Sequence, residues 1–429
     1  MHFVIFEGSG WESLAPLSLS RPTFTLVCGI GTLLEKQVRN LRPTRLPLWV
    51  RPQLADYCRR HVVPSIAAQS LASVVRINEP LDSDPAMLVD GSALFLGSQP
   101  TADINAASPC VALHEGTSRI CHARVVAPGL SVNDALELSQ RWTALLDLQR
   151  CAPLGKPVSH IWDLLGYHEA GLLADAAAWG RKPHTFSDGP WHLVNKDDVR
   201  IGDGARLGAG CEIDASNGPV VLASGSIIGA NVVVQGPCFI GSQAEIMPVA
   251  LIRPGVSIGP GCKVGGEVSR TIVIGYSNKA HEGYLGDSYV GEWVNLGAGT
   301  TTSNLKNTYG SIGMYLGGKE MDTGRKFLGS LIGDHTKTAI GTRFMSGSYV
   351  GYCAMIATSA HAPRFTPSFS FSTDKGSQLY RIEKAFEVAK AMFARRNRSW
   401  TGEDEAVMRY AGDAARKVEQ KRPGPSGPG

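Results

Sequence analysis

One stretch of the chain, from Arg253 to Asn304, gathers side chains able to handle a proton and an anion. His281 offers an imidazole that can accept a proton near neutral pH. Arg253 and Arg270 offer guanidinium groups, whose fork binds phosphate or carboxylate oxygens through charge-assisted bonds. Glu267, Tyr284, Asn295 and Asn304 add a carboxylate, a phenol and two amides. Each has a plainer alternative: a surface histidine or arginine, a solvated turn carboxylate, or an asparagine bonded to its own turn backbone. What singles the stretch out is its position, at the point where a regular apolar pattern breaks.

That pattern must supply the scaffold. Ile201, Leu207 and Ile213 recur every six residues, and after a three-residue offset Leu222, Ile228, Val234, Ile240, Ile246, Ile252, Ile258 and Val264 do the same. A six-residue period with Gly-rich intervals fits neither helix nor hairpin. It predicts a left-handed β-helix, with short strands on the faces and Gly, Pro, Asn and Asp at the corners. One coil cannot bury its stripe, whereas stacked coils bury a continuous one. The register breaks near 265–274, resumes over 291–300, loosens through 303–330 and returns from 332 to 358. Such excursions are natural places for sites and subunit contacts.

Ahead of the repeats, strand and helix signals alternate: HFVIF as a first strand, a loop over 13–27, a helix over 32–41, a strand running into a helix over 48–62, and strands at 74–78 and 86–97 around a turn at Asp90-Gly91. Helices are expected at 132–150 and, interrupted by Gly166 and Gly171, at 161–179, before a linker at 182–191. The alternation predicts an α/β domain. Behind the repeats, Leu379, Ile382, Phe386, Ala389 and Phe393 form a helical stripe, and 403–421 reads as a second helix. The expected organisation is an α/β domain over 1–190, a β-helix over 198–375, C-terminal helices over 376–422 and a disordered tail over 423–429.

Composition narrows the class. With 43% apolar and 19% charged residues, the 429-residue chain reads as a soluble globular protein of two or three domains. A net charge of +4 and the lack of basic runs interleaved with aromatics argue against a nucleic-acid partner. Nine scattered cysteines without a CxxC pair read as buried small side chains in a reducing cytoplasm. The start lacks a signal-peptide pattern, and no 18-residue apolar span points to a membrane.

Residues 251–304, with GGEV, GYSNKAH, GYLGDS and GEWVNLGAGT, followed by SNLKNTYG and GDHTKT, resemble the acetyltransferase half of bifunctional N-acetylglucosamine-1-phosphate uridylyltransferase/glucosamine-1-phosphate N-acetyltransferases, in particular the alternate bacterial form. The resemblance covers about 198–397 well and 1–190 more loosely. It implies direct acetyl transfer from acetyl-CoA to glucosamine 1-phosphate in a homotrimer with sites between neighbours, without an acyl-enzyme. It implies His281 as catalytic base, with Arg253 and Arg270 at the sugar phosphate. Glu267 would orient a neighbouring group, while Tyr284, Asn295 and Asn304 would lie at the sugar or amine. The backbone of Ala298 would face the thioester, and His335 would support the site or a subunit contact. One departure stands out: Ser269 occupies the first of two lysine positions after the family's glutamate, and Arg270 the second. A different amino or hydroxy sugar as acceptor therefore stays open.

The front half resembles sugar nucleotidyltransferases less closely. HFVIF is followed by Gly8-Ser9-Gly10-Trp11 rather than GxGTR, and Thr23 and Phe24 stand where a lysine is usual. A later Gly29-Ile30-Gly31-Thr32 with Lys36 is weak evidence by itself. Transfer from UTP would need Mg²⁺ and cations against the phosphates. Arg21 and Lys36 are the candidate cations and Asp90 the candidate metal ligand. A turn salt bridge and a hairpin aspartate are the alternatives for Arg21 and Asp90, and a silent domain that stabilises the transferase is the rival reading of the half.

Overall fold

The computed structural model describes residues 2–43, 45–68, 74–82, 84–97, 108–114, 117–179 and 189–419. The expected tail at 423–429 and most of the linker at 182–191 lie outside these residues.

The first apolar run forms β1 (His2–Phe6), followed by β2 (Arg45–Trp49), β3 (Val74–Ile77), β4 (Ala86–Asp90), β5 (Cys110–Leu113) and β6 (Ile120–Val125). The strand order is β3-β2-β1-β4-β6-β5. The first four strands are parallel, while β6 runs antiparallel to β4 and β5. Parallel neighbours need crossovers. These are α1 (Leu33–Leu41), closed by a Thr32/Glu35 capping box, and a helical segment spanning 52–68.

Two helix expectations change. The segment 132–150 is not one helix: it stops at Leu138, which adopts a left-handed backbone (φ 52°), and restarts at Gln140. By contrast, α2 (Ile161–Trp179) runs unbroken through both glycines. Gly171 is there for close approach, since a Cβ would lie 3.0 Å from the backbone nitrogen of Gly29.

From His192 to Thr373 the chain winds through about ten coils of a parallel β-helix. Three strand ladders form its faces. The repeated apolar positions Ile213, Leu222, Ile228, Val234, Ile240, Ile246, Ile252, Ile258 and Val264 are all buried in one core. The break near 265–274 is a shortening of the coil. Val234 pairs with Ile252 18 residues on, Ile252 with Val268 16 on, and Val268 with Leu285 17 on. Between the coils, 303–330 leaves the rod as an excursion carrying a hairpin, Gly313–Leu316 with Lys319–Asp322.

The nine-stranded face is covered by the N-terminal domain and by α3 (Ile382–Ala394) and α4 (Gly402–Glu419). One apolar cluster joins Trp11, Leu14 and Trp162 to Ile272, Tyr289 and Tyr349 of the coils and to Phe386 and Met408 of the C-terminal helices. Polar seams lock the same face: Tyr289 Oη accepts from Val27 N at 2.7 Å, and Ser257 Oγ donates to Gly29 O at 2.6 Å. Leu379 does not belong to the helical stripe; it pairs with Ser370 in a hairpin and is 77% exposed.

Candidate acyl-transfer site on the β-helix

Five of the sequence-predicted residues stack on one face and its corner. Leu251, Glu267 and Tyr284 are register partners in successive coils, which puts Arg253, Glu267 and Tyr284 along one edge. Arg253 Nε donates to Glu267 at 2.6 Å, with both side chains well exposed. Arg270 grips Asp287 with two bonds of 2.7 and 2.8 Å. Asn304 Nδ2 donates both to that carboxylate (2.6 Å) and to Tyr284 Oη (2.9 Å). Asp287, which the sequence reading passed over, is therefore the hub that orders Arg270, Asn304 and, through Asn304, Tyr284. Burial pushes the Tyr284 phenol up and the Asp287 carboxylate adds to the rise, so the phenol stays protonated.

His281 is exposed at the next corner. The bridge between Asn278 and Asn295 on one side, and the bond from Tyr284 N to Thr301 Oγ1 on the other, both span 17 residues. That offset sets Ala298 directly over His281 in the following coil. Asn295 lies on the adjoining face, where its amide oxygen meets Asn278 Nδ2 at 3.4 Å. Ala298 O is already bonded to Gly341 N at 2.7 Å.

The corner's shape comes from an unusual rung. Lys279 is the register partner of Val264, so it takes an inward position that elsewhere is apolar. It is 4% exposed, and its Nζ turns back to donate to Gly265 O (3.0 Å) and His281 O (2.8 Å). Burial pulls the ammonium down to about 8. Lys279 thus pins the carbonyl of His281, and Gly283, with φ 116°, lets the chain pass close under Thr300. His335 is buried and stacks on Trp293, away from this corner; burial lowers its imidazole to about 3, so it is neutral.

The N-terminal candidates are engaged elsewhere. Arg21 is buried between the domains, bonded to Asp334 at 2.6 Å and Glu292 at 3.2 Å, beside a cavity of about 570 Å³. Lys36 pairs with the buried Asp175 of α2. That carboxylate also accepts from Ile30 N (2.8 Å) and Gly31 N (3.1 Å), so it fills the position an anion would take at this glycine turn. Asp90, at the end of β4, is also saturated. One oxygen accepts from Ser92 N and Oγ; the other faces His114 Nε2 at 2.8 Å and Arg119 at 3.2 Å. Hydrogen bonding from His114 and the charge of Arg119 hold its carboxyl below the usual range against the opposing effect of burial. A carboxylate held by a guanidinium does not fit Mg²⁺ as this site stands. The carboxyl ends of the parallel strands, where such sheets bind ligands, carry the buried pair Glu7–Arg51, with Arg51 over the Trp11 ring at 4.2 Å and Tyr410 of α4 at 3.3 Å. The hollow beside Asp90 measures about 140 Å³, below the usual size of a ligand pocket.

The fold is an α/β domain joined to a left-handed β-helix of hexapeptide repeats. Residues 3–182 match the sugar nucleotidyl transferase family, and 198–235 and 237–269 match the hexapeptide repeat of succinyl-transferase. The chain is similar in parts to bifunctional GlmU proteins. It is 28% identical over 183 residues to the bifunctional protein GlmU of Synechococcus sp. (strain CC9311), covering 42% of this chain and 35% of the relative. It is 34% identical over 142 residues to bifunctional protein GlmU of Marinobacter nauticus, covering 32% and 30%. It is 33% identical over 111 residues to a bifunctional sugar-1-phosphate nucleotidylyltransferase/acetyltransferase of Sulfurisphaera tokodaii, covering 25% and 28%. The chain spans about a third of the length of these relatives. Among the described residues, no helix is long and apolar enough to cross a membrane.

Proposed function

We propose that this chain is an N-acetyltransferase that moves acetyl from acetyl-CoA to the amine of glucosamine 1-phosphate. The observation that carries the reading is the cluster of Arg270, Asp287, Asn304 and Tyr284 one corner from the exposed His281. His281 takes the proton from the attacking amine as nitrogen bonds to the thioester carbon. Arg253, bonded to Glu267 through Nε alone, and Arg270 face the phosphate, and Asn304 and Tyr284 orient the sugar. The exposure of His281 suits a site completed by a neighbouring copy in a homotrimer, in a cytoplasmic setting. Purified protein given both substrates should release free CoA, and His281→Ala should lower the rate about 10²–10⁴-fold. A folded trimer that releases none would reject the reading.

A second point concerns the front half. The engagement of Arg21, Lys36 and Asp90 within the chain favours a domain that braces the β-helix over one that forms UDP-N-acetylglucosamine from UTP with Mg²⁺. Mass-resolved product analysis, with UTP, Mg²⁺ and each acetyl-transfer substrate omitted in turn, separates the two: a UDP-sugar product would restore the bifunctional reading.

A further inference from the structure

Of nine cysteines, two are brought together by chain segments remote in sequence. Cys110 opens the edge strand β5, and Cys151 follows the segment that pairs with that strand's outer side. Val111 N donates to Gln149 O at 2.9 Å and Cys151 N to Val111 O at 3.0 Å. His122 of β6 lies on the same sheet face as Cys110, because it pairs with Ala112 while Arg124 pairs with Cys110. The two sulfurs and a His122 ring nitrogen all lie within 4.8 Å of one another. Both cysteines are partly exposed, whereas His122 is buried.

The histidine decides what the cluster is for. Leu154 N–H points at His122 Nδ1 at 3.3 Å, so in the neutral ring the proton resides on Nε2. That proton faces Cys151 Sγ at 3.5 Å. A protonated Nε2 cannot ligate a metal through its lone pair, but it is well placed to stabilise a thiolate. We infer that Cys110 and Cys151 form a reactive dithiol, with Cys151 as the attacking thiolate and Cys110 as its resolving partner. With a low-molecular-weight disulfide as oxidant, Cys151 S⁻ attacks one sulfur and expels a thiolate, leaving a mixed disulfide. Cys110, as its thiolate, then attacks the Cys151 sulfur and expels the second. Two protein thiols become one disulfide, and the oxidant is reduced to two thiols. The backbone bonds around Val111 already hold the two segments side by side. The disulfide staples the edge strand to the 148–154 segment.

The test uses the full-length protein and glutathione disulfide/glutathione mixtures, alkylation of remaining thiols, and intact and peptide mass spectrometry. Two of the nine thiols should disappear together at the lowest oxidant ratios, yielding one linked peptide pair containing Cys110 and Cys151. Cys110→Ser should stall with one glutathione on Cys151, and adding His122→Asn should slow that reaction about tenfold, while Cys151→Ser should remove the fast step. Even-handed loss of all thiols, a different linked pair, or purified wild-type protein retaining one zinc that Cys110→Ser loses would each overturn the proposal. The wild-type experiment requires no variant to fold.

Discussion

Asp287 is the most consequential residue that the motif comparison left without a role. It is buried, and its two oxygens hold Arg270 twice and Asn304 once. Two substitutions separate its contributions. Asp287 has φ 45°, a left-handed conformation that Asn tolerates and Ala resists by about 1–2 kcal/mol. Asp287→Asn keeps the backbone and one acceptor oxygen and removes the charge; Asp287→Ala removes all three bonds and adds backbone cost. A bond to a charged, buried partner contributes about 1.5–3 kcal/mol. The Arg270 side chain is 48% exposed, so its salt bridge is screened and belongs with surface pairs at about 0.2–1 kcal/mol. The two together give about 2–4 kcal/mol for the Ala variant, or about 30- to 900-fold in kcat/KM for the acceptor.

The assay is free-CoA release with the acceptor varied, then with acetyl-CoA varied, on protein whose thermal unfolding has been measured. The loss should fall on the acceptor and leave KM for acetyl-CoA within a factor of about two, because the Asp287 side chain holds Arg270 and Asn304, the groups assigned to the acceptor in the proposed function. Asp287→Asn should lie between wild type and Asp287→Ala. A folded Asp287→Ala variant within threefold of wild type would refute the claim that this carboxylate organises the acceptor site, and equal losses for both substrates would point to general loosening of the coil.

Other perturbations test the supporting structure. Asp334→Ala strands the buried Arg21 charge with only Glu292 nearby and should cost about 3–5 kcal/mol in denaturant unfolding, whereas the paired change Arg21→Met with Asp334→Leu should recover most of it. Burial lowers both His168 and His335 to about 3, so each binds its proton less readily folded than unfolded. Their contribution is fully present above about pH 6.5 and is lost as pH falls from there toward 3; His335→Asn should flatten that part of a stability–pH curve, and an unchanged slope would argue against a neutral buried ring. Gly283→Ala combines a strained φ with a Cβ 2.2 Å from Thr300 O, so it should shift the His281 corner and depress acetyl transfer more than Glu282→Ala does.

The rod was legible because its physics is repetitive. A stripe every six residues can be buried only by stacking, and each repeat position from Ile213 to Val264 is inside. Where the coil shortens, the sequence announced a break but not its form, since pairing offsets of 16 or 17 look like lost register in one dimension. Lys279 made that break look more irregular than it is: a lysine at an inward position reads as polar, although its ammonium is satisfied by two carbonyls of the corner. The site's groups were legible as types, but Asp287 was hidden because its bonds to Arg270 and Asn304 cross a full coil. In the N-terminal half, β5 and β6 escaped notice, and the partners of Lys36 and Arg21 lie 139 and 313 residues away, beyond the reach of any local pattern.

Those distant partners bear on how the two halves cooperate. A cation that meets triphosphate must exchange partners as the substrate arrives and leaves, which favours groups with water nearby. Arg21 instead spans the domain boundary with little exposure, and Asp334, its partner, also accepts from Ser20 Oγ at 2.5 Å and from Glu292 N at 2.8 Å. Freeing Arg21 for a phosphate would leave the Asp334 carboxylate short of a counter-charge inside the interface, at a cost of several kcal/mol. The same logic holds at Lys36, where Asp175 already serves the glycine turn as a built-in anion. Of these two cations, Arg21 is therefore committed to holding the N-terminal domain on the nine-stranded face and Lys36 to bracing that domain's own glycine turn, while His281 stands exposed on the rod.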